Sequence, residues 1–524
     1  LSQSKNTPPQ TTTEKDVTVK DWLAFMSMVF GMFMAILDIQ IVASSLNEIG
    51  AGVSATNEEI SWVQTSYLIA EVIMIPLTGF LSRLLSTRIL FTMSVIGFSL
   101  SSLLCALSWD INSMIVFRAL QGFIGGAMIP TVFATSFLMF PDSKRVTVSV
   151  AIGLVATMAP TLGPTIGGYL TQTFTWHWLF LVNVVPGFVV AIIVWRLVNI
   201  DKPDKKLLEG FDFIGVSFLS LSLGSLQYVL EEGNRKDWFG SNIIVTFTII
   251  SAGSGLIFLW RALTYEKPIV DLTAYKSVNF TIGSFYSFVL GVGLYGSVFL
   301  LPLFLGEIRG YNSLQIGLLM IVTGAFQFVS SPLAGFVSKI LDLRLMLFLG
   351  LSCFAMGVYL NSSLTSEAGF WEFFLPQAFR GLALMFCFLP INNVSLGTLP
   401  QHQVKNASGL YNLMRNLGGA IGLSVLNTML TQRTKMHYQY ISEKVNTSRH
   451  LVIDQFNTLT SQLSAIPPGK DLMVATKYLS MIVQKEAAVM AFNDCFILIT
   501  CIFSFSLLLT PFLQKPQLAI EGGH

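Results

Sequence analysis

Charge is scarce in this chain. Only 11% of its 524 residues are Asp, Glu, Lys or Arg, less than half the roughly 25% of a typical soluble domain. The net balance of +2 is too small to gather a nucleic acid. Cysteine is scarce too. Cys105, Cys353, Cys387, Cys495 and Cys501 all sit in apolar runs at unrelated spacings, the pattern of small buried side chains rather than of disulfides or a metal cluster. No HExxH, no G-x-S-x-G elbow and no GxxxxGK[ST] loop occurs, so nothing points to a zinc protease, a serine hydrolase or ATP hydrolysis. The first residues, "LSQSKNTPPQTTTEKDVTVK", carry no apolar core of a cleaved leader and read as a disordered tail.

Apolar residues fill the space that charge leaves. They make up 53% of the chain, and a mean hydropathy of +0.66 over this length requires many faces solvated by lipid. Runs long enough to cross a bilayer lie near 22–46, 60–82, 89–109, 113–138, 146–170 and 178–198. Two more follow near 212–231 and 241–262. The last six lie near 280–306, 313–337, 344–363, 370–396, 404–430 and 490–513. The expectation is an all-α polytopic protein of fourteen spans, each satisfying its own backbone hydrogen bonds.

Lys and Arg collect in alternate loops: Arg83 and Arg88, Lys144 and Arg145, Arg196 to Lys206, Arg261 to Lys276, Lys339 and Arg344, and Lys405. The opposite short loops hold only Arg235, Lys236 and Arg309. Both termini are therefore expected in the cytoplasm. The long outer segment 431–489 contains "PPGKDLMVATKYLSMIVQKEAAVMAF", whose apolar spacing predicts an extramembrane helix running into the last span.

The chain repeats itself. "GFLSRLLSTRILF" from Gly79 aligns without gaps to "GFVSKILDLRLML" from Gly335, and each is followed by an intramembrane arginine, Arg118 in "FRALQGF" and Arg380 in "FRGLALMF". This predicts two related six-helix halves with two helices between them, a plan that builds a central site at the interface. The boundaries expected are a tail at 1–21, a first bundle at 22–198, linker helices and loops at 199–279, a second bundle at 280–513 and a tail at 514–524.

Ionisable groups inside spans are costly, about 3 kcal/mol each, and mark function. The candidates are Asp38, Glu71, Arg118, Arg380 and Arg415. Arg118 keeps its charge and needs an anionic or carbonyl partner; Asp38 and Glu71 lie at reachable depth. A carboxylate there can load and release a proton. Asp38 is the first choice for proton traffic, with Glu71 as the second acid and Arg118 as the fixed cation; the competing reading makes Arg118 a structural clamp. Arg380, Arg415 and Gln64 are candidates for the substrate cavity, the two arginines as anchors or as contacts for anionic cargo. "GLVATMAPTLGPTIGGYL" from Gly153 predicts a kinked, closely packed span.

Together "LDIQIV" in the first span, "FRALQGFIGGAMIP" in the fourth and "GPTIGG" in the fifth resemble the major facilitator superfamily, in particular its fourteen-helix drug:proton antiporters. "MIPLTGFL", "WHWLFLVNVVPG" and "KPIVDLTAYKSVNFTIG" extend the likeness along most of the chain. The resemblance implies a major facilitator fold in a bacterial inner membrane and proton-driven efflux of amphipathic small molecules by alternating access, with no cofactor beyond the proton gradient. It also implies a periplasmic adaptor and a TolC-like outer-membrane channel as partners, and it carries the antiporter motif onto Gly163, Pro164, Gly167 and Gly168. A dedicated metabolite exporter, for instance of a siderophore, and a proton-coupled uptake symporter are the alternatives on the same scaffold. One departure stands out: where the family's loop motif has an aspartate and a glycine, this chain has Arg83 and Ser86.

Overall fold

The computed structural model describes residues 17–515 apart from 57, 446–448, 451, 455, 457 and 459–470. Most of the two expected tails and the middle of the outer segment lie outside the described residues. Among the described residues the long elements are fourteen helices: α1 (Val19–Ala43), α2 (Ser61–Leu85), α3 (Thr87–Ala106), α4 (Ile111–Gly125 and Met128–Met139), α5 (Asp142–Thr173), α6 (Trp178–Leu181 and Val184–Leu197), α7 (Phe213–Glu232), α8 (Asn242–Thr264), α9 (Val278–Glu307), α10 (Ser313–Val337), α11 (Leu343–Leu360), α12 (Phe370–Leu396), α13 (Gln401–Lys444) and α14 (Asp471–Ser506).

Local chemistry sets many of the starts. Thr18 and Asp21 form a capping box at α1, Asp110 and Ser113 at α4, and Asn312 and Gln315 at α10. Each satisfies amide N–H groups that the first turn leaves open. Between the caps the residues are apolar on nearly every face, as helices solvated by both protein and lipid must be.

Thirteen of these helices are long and apolar enough to cross a membrane. The exception is α13, which carries Lys405, Asn406, Asn412, Arg415 and Asn416. It tolerates them because it is walled by protein: α9 and α14 pack along it from one half, α2 and α4 from the other. Its 44 residues span about 66 Å, so it continues past the expected end near 430 and out of the bilayer. α14 likewise begins well before its membrane run, as the expected extramembrane helix does.

The architecture is two six-helix bundles, α1–α6 and α9–α14, with α7 and α8 as linker helices. α7 leans on α2 and touches α13, whereas α8 packs on α7 and turns Ile249, Leu256, Trp260 and Leu263 outward. Across the interface α5 meets α10 and α12, and α2 and α4 meet α13.

The two ends of that interface differ. On the face where α1 begins, called here the terminal face, the halves are locked. Lys405 pairs with Asp201, whose carboxylate also accepts the Thr87 amide N–H at 3.0 Å. Asn406 donates to the Asp271 carbonyl, and Asn392 donates to Ser149 at 3.1 Å. Phe133 packs on Phe388 and Tyr411 with ring centres 5.9 and 5.8 Å away. Gly79 is required here, because a Cβ would lie 2.6 Å from the Asn406 Cα. Toward the opposite face α5 and α10 stay in contact, where Gln327 donates to Thr157 and a Cβ on Gly317 would lie 2.6 Å from the Thr165 Cγ2, and a cavity lies beside them between α1, α2, α9 and α13.

Candidate functional site

The first polar cluster sits inside the first bundle, at the junction of α1, α2, α4 and α6. Arg118 Nη1 donates to Asp38 Oδ2 at 2.6 Å and to Gln121 Oε1 at 2.6 Å. Asp38 Oδ1 accepts Asn183 Nδ2 at 2.8 Å and Gln121 Nε2 at 3.2 Å. Arg118 Nε donates to the Val63 carbonyl at 3.2 Å, and the guanidinium lies over the Tyr67 ring, 4.3 Å from its centre. Both charged side chains are fully buried. A pair so deep persists only because each remaining lone pair and proton is largely answered. Arg118 Nη2 is the exception, having no partner.

The sequence therefore named the right partners for Arg118, and the structure chose between them: Asp38 pairs with it and Glu71 does not. Gln121 lies one turn from Arg118 on α4, a spacing legible in the sequence. Asn183 is the one amide in the apolar run "LFLVNVVPG", a signal that passed unread.

The second site is the central cavity between the bundles. Its outer chamber, about 380 Å³, is lined by Gln40, Ser44, Gln64, Pro164, Tyr295 and Phe299 among others. It narrows past Gln40, Gln64 and Tyr295 into a recess of about 70 Å³ that reaches Glu71, Asn416, Gln227 and Glu231. Neither Asp38 nor Arg118 lines either compartment. Glu71 does. Asn416 shares that wall, and among the described residues no Arg or Lys forms an ion pair with Glu71. Glu71 and Tyr67 are one turn apart on the same face of α2, so the helix that carries the cavity acid is also the helix on which Arg118 rests.

The expected cavity arginines are placed elsewhere. Arg380 is buried within the second bundle, donating to Gln377 Oε1 at 2.6 Å with its Nε unpartnered. Arg415 donates to Asn412 Oδ1 at 2.7 Å and lies over the Phe133 ring, 5.1 Å from its centre. Neither lines the cavity, and its walls carry carboxylates and amides but no cation. Both arginines donate to an amide one turn away, which turns the guanidinium along its own helix. Gln64 lines both compartments as expected, and its Oε1 has no partner.

The "GPTIGG" stretch fixes how closely α5 approaches α1. A Cβ on Gly163 would lie 2.2 Å from the Gln40 Cβ, and one on Gly167 2.5 Å from Ser44 Oγ. Pro164 faces the outer chamber, and the Gly168 carbonyl accepts Thr171 Oγ1 at 3.2 Å. These glycines set the wall on which Gln40 and Ser44 stand.

Comparison with known proteins places this geometry. Residues 24–423 match the model of the Major Facilitator Superfamily. The chain is 41% identical over 495 residues to the Colistin resistance protein EmrB of Acinetobacter baumannii, covering 94% of this chain and 96% of that one. It is 30% identical over 493 residues to the Multidrug export protein EmrB of Escherichia coli, covering 94% and 95%. Among solved structures the proton:xylose symporter XylE, bound to 6-bromo-6-deoxy-D-glucose, superposes with a TM-score of 0.59 over 95% of this chain and 96% of that one; at 12% identity it shares the fold.

Proposed function

Because the chain belongs to the major facilitator superfamily and, within it, to the EmrB-like efflux transporters, we propose that it exports amphipathic small molecules, cations foremost, in exchange for protons. It is a multi-pass membrane transporter and not an enzyme. The single observation that carries the reading is Glu71, a mid-membrane carboxylate on the cavity wall with no cation paired to it. A site with fixed negative charge, amides and apolar walls favours a lipophilic cation. A carboxylate that holds either that cation or a proton makes the two exclusive, which is the requirement of antiport. The relatives' names, colistin resistance and multidrug export, agree with amphipathic cargo.

With the basic terminal face in the cytoplasm of an inner-membrane protein, the locked end of the interface is the cytoplasmic gate and the cavity opens outward. A proton arriving at Glu71 releases the cation to the outside. The halves then rock, the Lys405–Asp201 and Phe133 contacts part, and Glu71 gives its proton to the cytoplasm as the next cargo enters. The Asp38–Arg118 pair ties α1, α2, α4 and α6 into one body, so that movement at Glu71 is passed to the whole bundle. Past the expected end of its own span, α13 is joined to α14 by His437 to Asp494 at 2.9 Å and Tyr438 to Ser480 at 3.0 Å. That paired extension is the proposed seat of a periplasmic adaptor leading to a TolC-like channel.

The test is transport in proteoliposomes under an imposed pH gradient, with tetraphenylphosphonium as cargo. Glu71→Gln is expected to abolish gradient-driven efflux, and Asp38→Asn to slow turnover by about tenfold or more, the scale of one lost buried interaction. Wild-type pumping by Glu71→Gln, with loss in Asp38→Asn, transfers proton exchange to the buried pair. Cargo and protons moving in the same direction overturns antiport and leaves uptake symport.

A further inference from the structure

A cavity of about 710 Å³ lies at the terminal face, apart from both compartments of the central site. Its size falls within the roughly 300–1,000 Å³ of small-ligand sites, and no step of transport uses it. Its walls are the end of α2, the loop from α6 to α7 and the loop from α8 to α9. The loops are tied down. The Asp204 amide N–H donates to the Arg83 carbonyl at 3.1 Å, and Tyr265 donates its hydroxyl to the Gly210 carbonyl at 3.2 Å. Gly210 makes that turn at φ 84°, where side chains are disfavoured. Phe80 and Phe211, with ring centres 5.2 Å apart, and buried Ile269 give the cavity an apolar floor.

The charged wall is Arg83, Lys267 and Lys276 with Asp212, Glu266 and Asp271. These acids are not equal. Asp212 is taken by Arg261 and by the Gly215 amide N–H at 2.9 Å. The Asp271 carboxylate accepts the Thr273 amide N–H at 2.8 Å, and Glu266 is exposed. Three cations therefore face two acids. Arg83 stands where the family's loop motif has an aspartate, so the departure reverses the sign of this wall. It is half-buried, and its Nε donates to the Gly79 carbonyl at 3.2 Å. Among the described residues no carboxylate forms an ion pair with it. The last wall residue of α8, Leu263, is 74% exposed and belongs to the same outward face as Leu256 and Trp260. The cavity thus borders the surface that α8 turns to lipid.

We propose that this cavity is a phosphate site filled by the headgroup of an anionic lipid, with Arg83 as the main contact and Lys267 and Lys276 at its rim. An arginine fork pairs with phosphate oxygens through two parallel N–H bonds, and basic pockets between spanning helices take acidic headgroups. The apolar floor and the Leu263 side favour a phosphate that carries acyl chains over a free one. Asp271, whose carbonyl accepts Asn406 of α13, is on the same wall. A bound headgroup therefore joins the end of α2 to the loop that the second bundle grips, and stabilises the locked terminal face. The site is independent of the export reading.

The melting temperature of the full chain in a non-ionic detergent is measured against added dioctanoyl phosphatidylglycerol, dioctanoyl phosphatidylcholine and inorganic phosphate. The phosphatidylglycerol is expected to raise it saturably, and the other two to leave it unchanged at the same concentrations. Arg83→Gln is expected to raise the half-saturating concentration about fivefold or more, the scale of one basic residue at a lipid phosphate. Arg88→Gln removes an arginine that lies over the Trp195 ring outside the cavity, and is expected to change nothing. Equal weakening by the two variants overturns the proposal, because diffuse surface charge would not distinguish them. So does the absence of a phosphatidylglycerol shift, or an equal one with phosphatidylcholine. A matching shift with inorganic phosphate overturns the lipid as occupant. Should Arg83→Gln fail to fold, the Lys267→Gln, Lys276→Gln double variant carries the test, and unweakened binding there counts against the site.

Discussion

The two halves carry the same arginine device, but only one carries its counter-ion. In the first, Arg118 holds Gln121 one turn ahead at 2.6 Å; in the second, Arg380 holds Gln377 one turn behind at 2.6 Å. Asp38 completes the first cluster. At the corresponding place in α9, residues 294–300 include no carboxylate. The repeated unit thus supplies a buried cation with a neutral clamp, and the first half alone turns it into an ion pair. The loops after α2 and α10 differ in a similar way. Asp342 caps α11 locally, its Oδ1 accepting the Arg344 amide N–H at 2.9 Å. Its counterpart Ser86 makes only a long 3.5 Å cap, and the Thr87 amide relies on distant Asp201. The second half is stabilised by neighbours in sequence, the first by partners that arrive with the tertiary fold.

Removing each arginine is the strongest way to break this comparison. Arg118→Met leaves Asp38 buried without its cation, a loss of about 3–5 kcal/mol; a large drop in detergent melting temperature and no transport are expected. Arg380→Met removes a charge that has no counter-ion, and its melting temperature is expected to hold or rise, with transport retained. Equal damage from both would show that Arg380 has an anionic partner in the working cycle.

A smaller effect is expected at Ser86. It adopts φ 78° and ψ 154°, a region that glycine occupies freely and side chains do not. Ser86→Gly is expected to stabilise the protein by about 1 kcal/mol, read as a raised melting temperature. No gain would mean that the Ser86 cap offsets the strain.

The smallest effect is expected at Asp342. The Arg344 side chain, and then its amide N–H, hold the Asp342 carboxyl below the usual carboxylate range. A lowered folded value contributes stability above the unfolded pKa of about 4 and loses it as pH falls through the folded value. Asp342→Asn is therefore expected to cost only about 0.3 kcal/mol near neutrality, as a half-exposed pair does. The difference from wild type should shrink as pH falls below about 4 and vanish once pH is below the folded value. A difference that persists there would assign the effect to the cap alone.

Much of this could be read along the chain. Apolar runs gave the helices. The spacing of Asp38 and Arg118 placed them at similar depth, and they meet. The cavity was less legible. Arg380 and Arg415 looked like cargo contacts, because an intramembrane charge advertises function whichever way it points. Each is turned along its own helix by an amide one turn away. Glu231 looked like a helix end, because a carboxylate near a span boundary normally faces water.

What the amino-acid sequence determined alone is whatever depends on one segment at a time: which stretches enter lipid, where they are capped, and which charges they bury, since transfer and capping free energies are local. Tertiary structure decided every question of partnership. It gave Arg118 to Asp38 and left Glu71 on the cavity wall. It sheltered polar α13 between the bundles and turned a linker glutamate inward. The physical reason is that a buried charge is satisfied by geometry in three dimensions, and side chains on separate helices acquire a distance only when those helices pack.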